Sequence, residues 1–154
     1  MNTLDVLRYG QRTIRSTIDR YGPDDWGRTA LGVWTAKDLV GHLGAFEVRF
    51  ANQLAPFAGE PVETDLPSAD PRTFNDDQAA VRQDWPIDRV LAEFLEAHER
   101  VMRLAAQISP EVWREVGTIP WYGAEYSLDD LVVYQQYGHK REHDPQLQAA
   151  LEQR

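Results

Sequence analysis

The chain has 154 residues, of which 42% are hydrophobic and 27% are charged, and these values are ordinary for a globular protein with a single core. Its net charge is −9, with 25 acidic residues against 16 lysines and arginines. This balance argues against nucleic-acid binding, which needs clustered positive charge. The chain contains no cysteine, which excludes disulfides, thiolate metal ligands and cysteine nucleophiles. We therefore predict one domain over residues 1–154.

Neither membrane insertion nor secretion is indicated. No apolar run approaches the roughly 20 residues that a membrane span requires. The first residues also lack the basic region and following hydrophobic stretch of a signal peptide. We accordingly predict a cytoplasmic protein without a membrane partner.

The first half of the chain shows two helical patterns. The first helix is predicted from about Leu4 to Tyr21, with Asn2 or Thr3 as its cap, and glycine and proline follow its end. The second is predicted to begin after Trp34, where Thr35 and Asp38 resemble a capping box with Asp in place of Glu. Its apolar stripe consists of Leu39, Leu43, Phe46, Phe50 and Leu54.

The second half begins with a segment rich in proline, glycine and acidic residues, Pro56 to Thr73, which we predict to be a long crossover loop. A short helix is expected near Asn75, a long helix over Pro86 to Ile108, and another short helix after Ser109. Ser127 is expected to cap the last helix, which Pro145 should kink or interrupt. Sustained alternation is missing, so strand signals are weak. The fold class predicted is all-α: a four-helix bundle with a long crossover loop and short extra helices.

The chain has four histidines, and three of them fall on faces that we expect to point inward. His139 and His143 are four residues apart, so on a helix they lie one turn apart on the same face, about 40° from each other. Two imidazoles so placed can reach one metal ion. His42 lies within the apolar stripe of the second helix. The alternative is that all three are core histidines that only form hydrogen bonds with neighbouring helices. Burying three neutral imidazoles without partners would cost roughly 1–3 kcal/mol each, whereas a shared metal ion would satisfy one nitrogen on each.

The fourth histidine and a protease motif point elsewhere. His98 lies between Glu96 and Glu99, so we predict an exposed surface residue. Residues 139–143 also match H-x-x-E-H, the inverted zinc-protease motif. That motif needs a further acidic ligand well downstream, and Glu152 lies too close to the end of the chain to supply it convincingly. Glu142 also lies about 100° around the helix from His143.

Several other side chains have two plausible roles. Asp38 lies one turn before His42 and would either orient an imidazole or cap the helix. Glu47 is badly placed to be a ligand and is expected to pair with a neighbouring helix. Gln135 and Gln136 lie one turn before His139 and would line a pocket beside it. The aromatic residues of the loop before the last helix would form the mouth of that pocket or a plug over the core; these are Trp121, Tyr122 and Tyr126.

Two segments of the chain resemble a known family. WTAKDLVGHL (Trp34–Leu43) and HKREHDPQL (His139–Leu147) are similar to the second-helix and last-helix signatures of the DinB-like (DfsB/ClbS-type) metalloprotein superfamily. The resemblance implies a four-helix bundle, often dimeric, in which one histidine of the second helix and an HxxxH pair of the last bind a divalent ion. His42, His139 and His143 match those positions. A homodimer is therefore the expected assembly.

The resemblance does not imply one reaction, because relatives include thiol-dependent transferases, an isomerase and a hydrolase. We predict a metal-dependent hydrolase or a thiol-dependent transferase that acts on a small molecule. Zinc or nickel would suit imidazole ligands best, with iron or manganese as alternatives, and a low-molecular-weight thiol would be a second cofactor. The competing hypotheses are a non-catalytic metal-binding or stress-related protein and a purely structural dimer.

Overall fold

The computed structural model describes residues 1–63 and 71–153. Four helical stretches form a bundle, and shorter segments connect them. In chain order the elements are α1 (Thr3–Ile18), β1 (Thr29–Leu31), β2 (Trp34–Thr35), α2 (Ala36–Leu54), a 3₁₀ turn (Ala55–Ala58), α3 (Phe74–Arg82), α4 (Ile87–Ala105), α5 (Pro110–Arg114), α6 (Leu128–Leu131), a π-helical turn (Val132–Tyr137) and α7 (Gly138–Glu152). The prediction of an all-α bundle is confirmed. Part of the predicted crossover loop, residues 64–70, lies outside the described residues.

Two pairings hold the bundle together. In the first, α2 packs against α4, and in the second, α1 packs against α7 and the π-helical turn before it. Helix α2 also contacts α7, which brings the two predicted histidine segments together. The pairing of α2 with α4 is close because Gly44 offers no side chain: a Cβ there would lie 3.1 Å from Oε1 of Glu93 and 3.6 Å from the backbone of Phe94. Among the described residues, no helix has the length and apolar character of a membrane span.

The core consists of two apolar clusters that α2 joins. Leu39, Val40 and Leu43 belong to one, together with Ile14, Phe94 and Leu147. Residues of the second half of α2 belong to the other, which also contains Val101, Trp113 and Leu128. The residues of α2 between Leu43 and Phe50, which include Phe46 and Glu47, therefore lie at the boundary between the clusters, one turn after His42.

A small β-hairpin precedes α2 and was not predicted. Strands β1 and β2 are antiparallel, and Leu31 is paired with Trp34. Gly32 opens the two-residue turn with a φ of 58°, whereas Val33 does not have a positive φ. This is the type II′ pattern, which suits the twist of a two-stranded ribbon. Strands of three and two residues are too short to produce a visible alternation in the sequence.

The last helix differs from its prediction at two places. Pro145 was expected to kink or interrupt it, and the interruption is not observed, since α7 continues through Pro145 to Glu152. Contacts with α1 and the segment after it hold both sides of the proline: Thr17 of α1 donates to Oδ1 of Asp144 at 2.5 Å, and the hydroxyl of Tyr21, three residues after α1, donates to the Leu147 carbonyl at 2.7 Å. These tertiary hydrogen bonds lie outside the reach of a local sequence rule.

The second difference is the π-helical turn directly before His139. Gly138 donates its N–H to the carbonyl of Val133, five residues earlier, and a Cβ on Gly138 would lie 3.0 Å from that oxygen. A π-helical turn contains one extra residue, so it rotates everything after it by about 100° around the helix axis relative to an uninterrupted α-helix. The turn therefore sets the direction in which His139 and His143 point.

Candidate metal centre

Three histidines from two helices converge at one point. His42 comes from the middle of α2, while His139 and His143 come from the first two turns of α7. One ring nitrogen from each lies within 4.8 Å of the other two. His42 and His143 are buried and His139 is partly buried. The structure thus brings together all three residues that were predicted as ligands.

Hydrogen bonds among these nitrogens cannot satisfy all three of them. The Nε2 of His139 lies 2.8 Å from the Nε2 of His42 and 3.0 Å from the Nε2 of His143. A ring nitrogen carries either one proton or one lone pair, so the Nε2 of His139 cannot form a full hydrogen bond with both neighbours. Nitrogens bound to one tetrahedral zinc at 2.0–2.1 Å lie about 3.3 Å apart. A small outward movement of the rings would therefore admit an ion.

Gln146 determines which nitrogen of His143 carries the proton. The Nδ1 of His143 lies 2.7 Å from Oε1 of Gln146, an oxygen that can only accept. The proton is therefore on Nδ1, and the lone pair of Nε2 points towards the other two histidines. A hydrogen bond of this kind orients metal-binding histidines in general. Gln146 was not predicted as a site residue, although its position three residues after His143 places it on the neighbouring turn.

The surroundings keep His42 and His139 neutral. Burial lowers the pKa of His42 to about 3, and the nearby His143 acts in the same direction. Burial also lowers the pKa of His139 to about 3, with further contributions from His42 and His143. At neutral pH these two rings are therefore uncharged, which is the form that binds a metal.

Aromatic rings enclose one side of the cluster. The ring centre of Phe46 lies 4.8 Å from that of His42 and 4.5 Å from that of His139. Trp34, at the end of the hairpin, lies 5.0 Å from His42, and Phe74 packs edge-on against Phe46 at 5.2 Å. These rings limit the movement of the imidazoles and keep water away from that side.

A buried charge network lies beside the site and corrects the prediction for His98. Glu47 is almost fully buried and forms an ion pair with Lys140 of α7, which is also buried. His98 of α4 lies 3.3 Å from the other carboxylate oxygen and is only 8% exposed. The prediction of an exposed His98 was therefore wrong. Glu96 and Glu99 lie on other faces of α4, so their charge does not indicate the exposure of His98. Pairing of Glu47 with neighbouring helices is confirmed.

The network also determines the charge of Glu47. Burial by itself would raise the pKa of this carboxyl group, but Lys140 and His98 outweigh it and lower the pKa to about 2. Glu47 is therefore ionised at neutral pH, and its charge is compensated by Lys140. This leaves no free carboxylate from Glu47 for the histidine cluster.

The remaining candidates have mainly structural contacts. Asp38 completes the capping box of α2 with Thr35. Tyr122 and Tyr126 pack on the apolar cluster that contains Leu128, and Tyr122 hydrogen-bonds with Gln135. Trp121 is 57% exposed and Gln136 is buried. A pocket-lining role for these residues stays a prediction.

No curated protein and no solved structure matches the chain. The family model for the DinB superfamily matches residues 7–147, which include all three histidines, the whole of α2 and the first two thirds of α7. The chain belongs to the DinB superfamily.

Proposed function

We propose that His42, His139 and His143 bind one divalent metal ion through their Nε2 atoms, and that the chain is a metal-dependent enzyme acting on a small molecule. The observation that carries this proposal is the convergence of three Nε2 atoms that cannot all form hydrogen bonds with one another. Membership of the DinB superfamily supports it, because proteins of this type often bind metals. Zinc or nickel is the ion that we expect, and iron or manganese are the alternatives.

Three neutral ligands leave at least one coordination position for substrate, which is typical of catalytic rather than structural sites. A divalent ion bound there would supply a Lewis acid and lower the pKa of bound water. The chain itself would contribute orientation. Gln146 holds the proton of His143 away from the centre, and Phe46 restrains two of the imidazole rings. The reaction that we propose is hydrolysis or a thiol-dependent group transfer.

Elemental analysis of protein purified without chelator tests the metal site. We expect close to one divalent ion per chain in the wild type and a large loss in His139→Ala. The matched control is His98→Gln, which changes the one histidine outside the cluster and retains a hydrogen-bond donor towards Glu47. Equal metal content in His139→Ala and the wild type would contradict the proposal.

Catalysis needs a separate experiment. The metal-loaded protein would be incubated with a panel of esters, amides and electrophiles, with and without low-molecular-weight thiols. Thiol-dependent turnover that EDTA abolishes would favour a transferase, and thiol-independent turnover would favour a hydrolase. Metal binding without any turnover would favour the non-catalytic alternative. The homodimer and the cytoplasmic location stay predictions, and light scattering on the purified chain tests the first of them.

A further inference from the structure

Arg49 lies on the same face of α2 as His42. They are seven positions apart, which is two helical turns, or roughly 10 Å along the axis with about 20° of rotation. Long side chains on a helix lean towards its N-terminus, so the guanidinium of Arg49 extends back towards His42. Its central carbon lies 5.8 Å from the ring centre of Phe46 and 4.9 Å from that of Phe74.

Only one aromatic ring separates this guanidinium from the histidine cluster. The Phe46 ring that lies under Arg49 also contacts His42 at 4.8 Å and His139 at 4.5 Å between ring centres. A small molecule with one end at the three Nε2 atoms could therefore reach Arg49 with its other end while its apolar part packs on Phe46. Arg49 and the histidines would then contact the same ligand.

The charge of Arg49 is not compensated within the part of the chain that the structure describes. Some other arginines have acidic partners: Arg82 pairs with Glu93 and Arg103 pairs with Glu60. Across residues 1–63 and 71–153 no carboxylate forms an ion pair with Arg49, which is partly buried between two phenylalanines. The other arginines without such an ion pair among these residues are all exposed, whereas Arg49 is half-buried.

We propose that Arg49 binds a carboxylate group of the substrate, which makes small carboxylic acids the substrate class of the three-histidine site. The inference rests on the metal-binding function proposed above. A guanidinium presents two parallel N–H donors that match the two oxygens of a carboxylate. The phenylalanines hold the guanidinium in place before the ligand arrives, which reduces the entropy lost on binding. In a chain of net charge −9, a local cation is also needed to attract an anionic substrate.

Two thiols that differ only at the end remote from sulfur test this proposal. The protein loaded with Co²⁺ is titrated with 3-mercaptopropionate and, separately, with 3-mercaptopropan-1-ol, and binding of the thiolate to cobalt is followed by its charge-transfer absorption. We expect the wild type to bind the carboxylate about 10- to 100-fold more tightly than the alcohol, the range typical of hydrogen bonds to charged groups. Arg49→Gln should bring this ratio close to one while leaving the affinity for the alcohol unchanged.

Two further variants make the measurement specific. Arg89→Gln is the matched control, because Arg89 also stacks on an aromatic ring, Trp85 at 3.7 Å, but is exposed and lies on α4. It should keep the wild-type ratio. Arg49→Lys keeps the charge without the paired donors and should retain an intermediate ratio. It also serves if Arg49→Gln folds poorly.

Three results would overturn the inference. The first is a wild type that binds both thiols equally. The second is an Arg49→Gln protein that keeps the wild-type ratio, which would make Arg49 a packing residue only. In both cases cobalt would still be bound, and the proposed metal site would stand. The third is a wild type that binds no cobalt at the histidines, which would remove the proposed function and this inference with it.

Discussion

Replacing Glu47 by glutamine should strongly destabilise the chain, because it leaves the buried ammonium of Lys140 without a counter-charge. Glu47 is 1% exposed and Lys140 is 3% exposed, so water cannot replace the lost carboxylate. Removing one partner of a buried ion pair typically costs about 3–5 kcal/mol. The pKa of Glu47 leads to a similar magnitude: its lowering from 4.5 to about 2 corresponds to about 3 kcal/mol of stabilisation by the ionised form.

Urea unfolding followed by circular dichroism measures this loss. All proteins would be treated with a chelator first, so that a bound metal does not contribute to the stability of the folded state. With a slope of about 2 kcal/mol per molar urea, the midpoint of Glu47→Gln should fall by about 2 M. The matched control is Glu47→Leu combined with Lys140→Met. It removes both charges and should recover much of the stability, because apolar replacements of buried ion pairs are often neutral.

The pH dependence provides an independent check. The pKa of Glu47 is lower in the folded chain than in the unfolded chain, so its stabilising effect is complete above pH 4.5 and is lost as the pH falls towards 2. The difference in stability between the wild type and Glu47→Gln should therefore narrow over this range. A Glu47→Gln protein within about 1 kcal/mol of the wild type at pH 7 would refute the reasoning, because buried charges of this kind cannot be left unpaired at so small a cost.

Three other changes test the site and the fold. Gln146→Leu should weaken metal binding about 10- to 100-fold in a competition with a chromogenic chelator, because the Nδ1 proton of His143 loses its acceptor. An unchanged affinity would show that Gln146 does not determine the tautomer of His143. Gly44→Leu should lower the free energy of unfolding, measured by urea denaturation, by roughly 1–3 kcal/mol, since the leucine side chain would press on Glu93 and Phe94. A stability equal to that of the wild type would mean that α2 and α4 can move apart at no cost. Ser127→Ala should lower the free energy of unfolding by about 1 kcal/mol in the same assay, because the capping box of α6 is lost. An unchanged free energy of unfolding would show that packing alone holds this helix end.

The helices and the three histidines were accessible from the sequence because both depend on short-range spacing. The apolar periodicity of α2 and α4 and the capping residues Thr35 and Ser127 are local signals, and the structure places the helix starts where they predict. The positions of His139 and His143, four residues apart, already placed them on one face. The resemblance of two segments to a known family then associated His42 with that pair.

Tertiary structure decided the features that depend on residues distant in the chain. The burial of His98, the pairing of Glu47 with Lys140 and the continuation of α7 through Pro145 all rest on contacts between helices. Flanking glutamates made His98 look exposed because a local window cannot show which helix packs against it. The spacing of residues along one helix is determined by the geometry of the backbone. Which charges meet across the bundle depends on how the helices pack, and here that packing brought three histidines together and left Arg49 without a carboxylate among the described residues.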